Sequence, residues 1–157
     1  ARRRSAELLV DAFRLGAKER RPACAHILCG DFNSPKALGG EATEVYNLLT
    51  GAGLRDACRA AEVRELMPTT IHKFKGVAFA PTRGDGTVQL GATADAEAEE
   101  QRDARHIDWV LWHDGAAGLS LKPLRCEVIT ERLGSGCYPS DHFPVSVTFE
   151  VFQEPNP

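Results

Sequence analysis

Apolar residues recur along the chain with two different periods, which predict a mixture of helices and strands. The opening segment SAELLVDAFRLG has apolar residues at helical spacing, so we expect a helix that is capped by Ser5 and ended by Gly16. The segment EATEVYNLLTGAG follows the same spacing and predicts a second helix. The stretch LRDACRAAEVREL predicts a short strand or turn followed by a third helix.

Four other stretches have the patterns of β-strands. ACAHILCG is short, mostly apolar and ended by glycine, which suits a strand buried on both faces. RHIDWVLWHDG is apolar on both faces except at Asp108, and it predicts a strand inside a sheet that is packed on two sides. LKPLRCEVIT is a further strand candidate, and FPVSVTFEVF alternates as a half-exposed strand near a sheet edge does. The pattern predicts a mixed α/β fold with a layered sheet.

One long stretch, residues 80–105, interrupts this pattern. It lacks aromatic residues and is dominated by glycine, alanine and acidic residues. We expect an exposed insertion loop there, with a short helix over about residues 92–103. It contains Arg83-Gly84-Asp85, the tripeptide of integrin adhesion. We interpret that match as a chance occurrence in a glycine-rich loop, and adhesion as the weakest functional hypothesis.

The chain length and the net charge limit which classes of function fit the sequence. The chain has 157 residues and a formal net charge of −3, which suits one compact domain and gives no global basic field to attract nucleic acid. A phosphate-bearing substrate would have to be met by a local patch or a metal. The sequence has no apolar run of membrane-spanning length, and its first residues lack the features of a signal peptide.

The cysteines give a weak indication of compartment. There are five of them, an odd number, and no CxxC pair occurs. This pattern does not resemble a disulfide framework or a zinc site. We therefore expect reduced thiols and an intracellular protein, cytoplasmic or nuclear.

Polar residues collect where the predicted strands begin or end. Asp31 and Asn33 follow HILC, Asp108 sits near the start of IDWVLW, and Asp141 and His142 precede PVSVTFEV. Each has an ordinary structural explanation: a turn, an ion pair, or a satisfied histidine. If the strands are neighbours, however, the side chains converge. A histidine oriented by an aspartate, with carboxylates nearby for Mg²⁺, suits the hydrolysis of a phosphate ester.

The order of four motifs resembles one protein family. CGDFNSP, TTIHKFKG, RHIDWVLW and YPSDHFPV, in that order, resemble the endonuclease/exonuclease/phosphatase superfamily, the DNase I-like enzymes. The resemblance covers nearly the whole chain apart from the insertion. It implies the C-terminal half of a two-sheet α/β sandwich, so residues 1–157 would form a partial domain of this kind.

The resemblance also implies roles for individual residues. Asp31 and Asn33 would position the attacking water and contact the scissile phosphate. His142 would be the catalytic histidine, and Asp108 would pair with it and fix its tautomer. Asp141 would be a ligand for Mg²⁺, or Mn²⁺ in its place.

His72, in TTIHKF, has two interpretations that the sequence leaves open. The resemblance places it near the phosphate, where it would bind substrate. A packed loop histidine is an equally good interpretation.

Two elements of the family pattern, an upstream asparagine and a metal-anchoring glutamate, have no counterpart here. We therefore expect the chain to begin mid-domain and to expose apolar strand faces, which favour self-association or pairing with a missing N-terminal half. One hypothesis is a Mg²⁺-dependent phosphoesterase acting on a diester or a monoester, with nucleic acid among the candidate substrates. The low charge argues against a dedicated high-affinity DNA binder. The other hypothesis is a non-catalytic half-domain that binds a partner.

Overall fold

In the part that the structure describes, the protein is a mixed α/β chain with one long helix, two short helices and three small sheets. The computed structural model describes residues 1–19, 24–39, 41–66, 69–76, 105–115 and 119–153. Its elements in chain order are α1 (Arg2–Glu19), β1 (His26–Asp31), β2 (Ala37–Leu38), β3 (Glu41–Ala42), α2 (Glu44–Gly51), β4 (Arg55–Asp56), α3 (Ala57–Ala60), β5 (Val63–Glu65), β6 (Asp108–His113), β7 (Leu119–Val128) and β8 (Val145–Gln153).

Two three-stranded sheets form the frame. In the first, β6 lies in the middle and pairs antiparallel with β1 and with β4. In the second, β7 lies between β5, which is parallel to it, and β8, which is antiparallel. β8 is thus an edge strand, as its alternating pattern predicted. β2 and β3 form a separate antiparallel pair.

β6 separates two layers of the core. Trp109 and Leu111 pack on one side, among residues of α1 and α2 (Ala6, Val10, Val45, Tyr46 and Leu49). Val110 and Trp112 pack on the other side, against side chains of the second sheet (Leu121, Val145, Val147 and Phe149). The prediction of an interior strand packed on both faces is therefore confirmed for β6.

Two local expectations are corrected. The first helix begins at Arg2 and runs past Gly16 to Glu19, so Ser5 lies inside it, and its hydroxyl donates to the carbonyl of Ala1. A glycine inside a helix costs only about 1 kcal/mol, which does not stop the helix.

The strand in ACAHILCG was expected to be buried on both faces, but β1 is an edge strand and Ile27 is 53% exposed.

The predicted insertion at 80–105 lies outside the described residues except for Arg105, and so does Arg83-Gly84-Asp85. Both stay predictions. Within the described part of the chain, no helix is both long and apolar enough to cross a bilayer.

A disulfide joins Cys58 in α3 to Cys126 in β7, with their Cα atoms 5.1 Å apart. It corrects the expectation that all thiols are reduced. An odd count does not exclude one pair, and the two cysteines are 68 residues apart in sequence, so no local spacing signals the bond. The other three cysteines, Cys24, Cys29 and Cys137, are free thiols.

Replacing both Cys58 and Cys126 by alanine is expected to lower the free energy of unfolding by about 2–4 kcal/mol, because the bond restricts the unfolded chain. Urea unfolding followed by circular dichroism measures this, with Cys137→Ala, an exposed thiol, as the matched control. Alkylation in urea without reductant should label three thiols. Labelling of all five would show that the disulfide does not form.

Candidate active site

The candidate site begins at one end of the β1–β6 pair. Asp31 is the last residue of β1 and Asp108 is the first residue of β6, and the antiparallel register places them directly opposite each other. Residues opposite each other in such a pair project to the same face, with Cβ atoms about 5 Å apart. The convergence of two carboxylates thus follows from the strand pairing.

His142 completes the cluster from the loop that precedes β8. Its ring Nδ1 lies 2.9 Å from Oδ2 of Asp108, and the side chains are 21% and 19% exposed, respectively. An ionised carboxylate only accepts hydrogen bonds, so Nδ1 carries the proton and donates it to Asp108. A neutral imidazole that donates from Nδ1 has its lone pair on Nε2. The carboxylate on an otherwise apolar strand therefore has a partner.

The GDFN turn holds Asn33 against Asp31. The Asn33 backbone N–H donates to Asp31 Oδ1 at 2.7 Å, and the side-chain Nδ2 donates to Oδ2 at 2.8 Å. Asn33 has a φ of 48°, a left-handed conformation that asparagine tolerates better than most residues. Each Asp31 oxygen keeps a second lone pair. The turn therefore orients the carboxylate and leaves both oxygens able to bind a further partner.

The cluster opens on a cleft of about 310 Å³. Its wall contains Asp31, Asp108 and His142, together with Cys29, Gly30, Trp109, Val110, Ser140, Phe143, Pro144 and Val145. Asn33 lines a neighbouring cleft of about 350 Å³ beside the start of α1, and Asp31 borders both clefts. A mainly apolar wall with a few convergent polar groups is typical of a small-molecule or active site.

Three side chains of the cluster could act as ligands of a divalent cation. Asp31, Asp108 and His142 each offer a ligand atom, and these atoms lie within 4.8 Å of one another. Carboxylate oxygens are the ligands that Mg²⁺ prefers, and water completes most of its octahedral shell in proteins. The two carboxylates fit such an ion. The imidazole is the poorer donor for it, since its Nδ1 is held by Asp108.

Asp141, the expected metal ligand, is not part of this cluster among the described residues. Its backbone carbonyl accepts hydrogen bonds from the N–H groups of His72 and Lys73, at 2.8 and 3.0 Å. These bonds hold the loop 69–76 against the loop that carries His142. A metal-binding role for Asp141 stays a prediction.

His72 lies in the interior rather than on the cleft wall. It is fully buried, its ring stacks on Phe143 with centroids 4.1 Å apart, and its Nδ1 accepts from the N–H of Gly76. This is the geometry of the second interpretation, a packed loop histidine. Substrate binding by His72 stays a prediction.

Two hydroxyl residues near the site were missed by the sequence analysis. Ser140 accepts the N–H of His142 through its Oγ at 3.1 Å, and Thr70 accepts the N–H groups of Ile107 and Asp108. Ser140 could have been found, because a serine two residues before a loop histidine is typical of a side-chain-capped turn. Thr70 bonds across 37 and 38 residues of sequence, and no local pattern indicates such a contact.

Comparison with solved protein structures identifies the fold of the chain. No protein-family profile matches the chain, and no curated protein matches it either. Solved structures do match, and they show that the chain has the fold of endonuclease/exonuclease/phosphatase proteins, as its motifs predicted.

Three of these structures come from Bacteroides species. An endonuclease/exonuclease/phosphatase family protein of Bacteroides thetaiotaomicron superposes with a TM-score of 0.61 at 23% identity, over 97% of this chain and 46% of its own. A mannosyl-6-phosphatase of the same organism gives 0.60 at 22%, over 95% of this chain and 45% of its own. A family protein of Bacteroides vulgatus gives 0.55 at 21%, over 96% and 44%. The chain thus spans less than half the length of these structures, which is consistent with a C-terminal half.

Proposed function

We propose that this chain carries the histidine–aspartate part of a metal-dependent phosphoesterase site. The observation that carries the proposal is the 2.9 Å contact between His142 Nδ1 and Asp108 Oδ2, next to the carboxylate of Asp31 on the wall of one cleft. The fold supports it at the level of a hydrolase, since one of the matched structures is a mannosyl-6-phosphatase and two others are endonuclease/exonuclease/phosphatase family proteins.

His142 supplies proton transfer in this proposal. With Nδ1–H bonded to Asp108, the lone pair of Nε2 accepts a proton from the attacking water, and the imidazolium that forms can then donate from Nε2 to a phosphoryl oxygen as negative charge builds up. Asp108 stabilises the imidazolium that forms. The Nδ1–H bond to Asp108 thereby keeps the ring in one orientation in both its neutral and its protonated state.

Mg²⁺, or Mn²⁺, is the proposed cofactor, and when bound it would polarise the phosphoryl oxygen and stabilise the leaving oxygen. Asp31 is the ligand that this chain offers most directly, because Asn33 orients its carboxylate while leaving lone pairs unused. Asn33 would also donate towards the phosphate when its amide turns from Asp31.

The substrate is a phosphate ester with an organic group that extends beyond the phosphate. Phe74 is 67% exposed, and it follows Lys73, whose N–H bonds to Asp141 next to His142. Both Lys73 and Phe74 have left-handed backbones, with φ of 48° and 61°, which non-glycine residues adopt at a cost of about 1–3 kcal/mol. We infer that this exposed apolar side chain, on a loop whose backbone bonds to Asp141, contacts the organic group of the substrate.

Replacing Phe74 by alanine is expected to raise KM about 10-fold and to change kcat little, because a contact with the organic group is made equally in the ground and transition states. Steady-state kinetics on an aryl phosphodiester measures this. Leu133→Ala, another exposed apolar side chain, is the matched control. A fall in kcat with KM unchanged would contradict the assignment.

The proposal as a whole is tested by hydrolysis of a model aryl phosphodiester and a model aryl phosphomonoester, each in Mg²⁺ and in EDTA. We expect turnover that requires the metal, and the ratio of the two rates distinguishes a diesterase from a monoesterase. Turnover that persists in EDTA would contradict the metal-dependent mechanism. A folded chain without turnover in either buffer would favour the second candidate function.

That second candidate is a half-domain that binds a partner or a second copy of itself, without turnover in this chain alone. Two observations favour it: the chain spans less than half the length of its structural matches, and β1 leaves an exposed edge with Ile27 53% exposed. Size-exclusion chromatography with light scattering separates the cases. A well-folded monomer counts against a partner-dependent half, and a dimer supports self-association.

An intracellular location stays a prediction from the cysteine count. The buried disulfide between Cys58 and Cys126 argues against it, because disulfides persist mainly in oxidising compartments.

A further inference from the structure

One fully buried threonine connects the start of β6, which carries Asp108, to the loop that carries His142. Thr70 is 0% exposed. Its Oγ1 accepts hydrogen bonds from the backbone N–H groups of Ile107 and Asp108, at 3.2 and 3.4 Å. Its carbonyl accepts the N–H of Phe143 at 2.7 Å. One residue therefore bonds to the backbone of Asp108 and to the residue that follows His142.

The need for such a connection arises from where Asp108 lies. It is the first residue of β6 and pairs with the last residue of β1, so the ladder of strand hydrogen bonds ends there. The Ile107 carbonyl still accepts the N–H of Phe32 at 2.8 Å. The N–H groups of Ile107 and Asp108 point instead to Thr70, whose hydroxyl oxygen can accept two bonds. Without that oxygen, the start of β6 loses its anchor on this side.

Neighbouring contacts also connect the segment 69–72 to the loop that carries His142. Ile71 and His142 form an isolated antiparallel bridge, and the ring of His72 stacks on Phe143. The segment 69–72 thus lies between Asp108 and His142 like a short extra strand. Within the described hydrogen bonds of this segment, only Thr70 bonds to both sides, one through its side chain and the other through its backbone.

We propose that Thr70 is a positioning residue for the His142–Asp108 pair. Its hydroxyl sets where the Asp108 carboxylate stands relative to the imidazole, and it does not touch substrate. The structural part of this proposal is independent of the reaction. Its effect on turnover rests on the phosphoesterase function proposed above.

The test compares two substitutions at one position. Thr70→Val has nearly the same shape and lacks the hydroxyl, whereas Thr70→Ser keeps the hydroxyl and loses a methyl group. Thr148→Val, at an exposed threonine of β8, is the matched control. Proteins labelled with ¹⁵N-histidine report the protonation state of each ring nitrogen by NMR, and His142→Gln assigns the signal of His142.

In the native chain we expect His142 to show a proton on Nδ1 and a downfield Nδ1–H resonance. Thr70→Val should lose that resonance and mix the two tautomers, and kcat should fall about 10-fold with KM little changed. Thr70→Ser and Thr148→Val should both resemble the native chain. A native-like His142 signal in Thr70→Val would overturn the proposal. So would a Thr70→Ser variant as impaired as Thr70→Val, since packing and not the hydroxyl would then be responsible.

Amide hydrogen exchange on the native chain gives an answer even if Thr70→Val does not fold. The N–H groups of Ile107 and Asp108 should be protected well above the rate of an unstructured peptide. Exchange of both at that unprotected rate would overturn the proposal. Since neither NMR measurement requires turnover, a failure of the positioning role is distinguishable from a failure of the proposed phosphoesterase function.

Discussion

Replacing His142 by glutamine is expected to lower the rate of the proposed magnesium-dependent phosphoester hydrolysis by about 10²–10⁴-fold. Glutamine keeps a polar side chain of similar reach but cannot accept or release a proton at neutral pH. The Asp108 carboxylate would retain a hydrogen-bond donor 34 residues away in sequence, so the fold should tolerate the change. The measurement is the initial rate on the model diester, with circular dichroism to confirm folding.

The matched control is His26→Gln. His26 lies at the far end of β1 from Asp31 and packs edge-to-face on Phe13, with ring centroids 5.4 Å apart. Its loss should leave the rate within about twofold, because it touches no part of the site. A His142→Gln variant with the native rate would remove His142 from the mechanism.

Replacing Asp56 by alanine is expected to lower the free energy of unfolding by about 3–5 kcal/mol. The Lys36 ammonium lies 2.7 Å from Asp56 Oδ2, and both side chains are almost fully buried, at 4% and 3% exposure. Asp56 also accepts the Tyr46 hydroxyl and the N–H groups at the start of α3. Removing the carboxylate would leave a buried ammonium and several unpaired donors. Urea unfolding monitored by tryptophan fluorescence gives the value.

The same ion pair predicts a dependence of stability on pH. Burial by itself would raise the pKa of Asp56, but the Lys36 charge and the hydrogen bonds to the carboxylate outweigh it and lower the pKa below its ordinary value. A carboxyl with a lowered folded-state pKa contributes stability above the unfolded pKa of about 3.9, and that contribution is lost as pH falls through the folded pKa. The native chain should therefore lose stability below about pH 4, and Asp56→Ala should lose less over the same range.

Glu62→Ala is the control for both measurements. Glu62 pairs with Lys122 at 2.5 Å, but the two side chains are 54% and 49% exposed, and such surface pairs contribute less than about 1 kcal/mol. An Asp56→Ala variant no less stable than Glu62→Ala would show that the buried pair does not hold the structure together.

The sequence predicted those parts of the fold that depend on the local spacing of apolar residues. β6 is apolar on both faces, so its interior position could be inferred without any partner being known. The exposed edge of β1 could not be inferred, because an apolar strand has the same pattern whether or not a neighbour covers it. The prediction that the first helix ends at Gly16 was wrong, because one glycine costs too little to end a helix whose hydrogen bonds continue on both sides of it.

Convergence of the site was partly predictable. The motifs around Asp31, Asp108 and His142 indicated that the three belong together, and the structure brings them within one cleft. The contacts that support them were not predictable. Thr70, for example, bonds to the N–H of Asp108 across 38 residues of sequence. Such pairings depend on how the sheets stack, which no local pattern encodes.

The claim that His142 and Asp108 act as one unit is tested most directly by a double-mutant cycle on the rate of magnesium-dependent hydrolysis, with His142→Gln, Asp108→Asn and the double variant. If Asp108 works only through His142, the double variant should be no slower than the slower single variant. Losses that multiply in the double variant would mean that the two residues act independently, and would contradict the account.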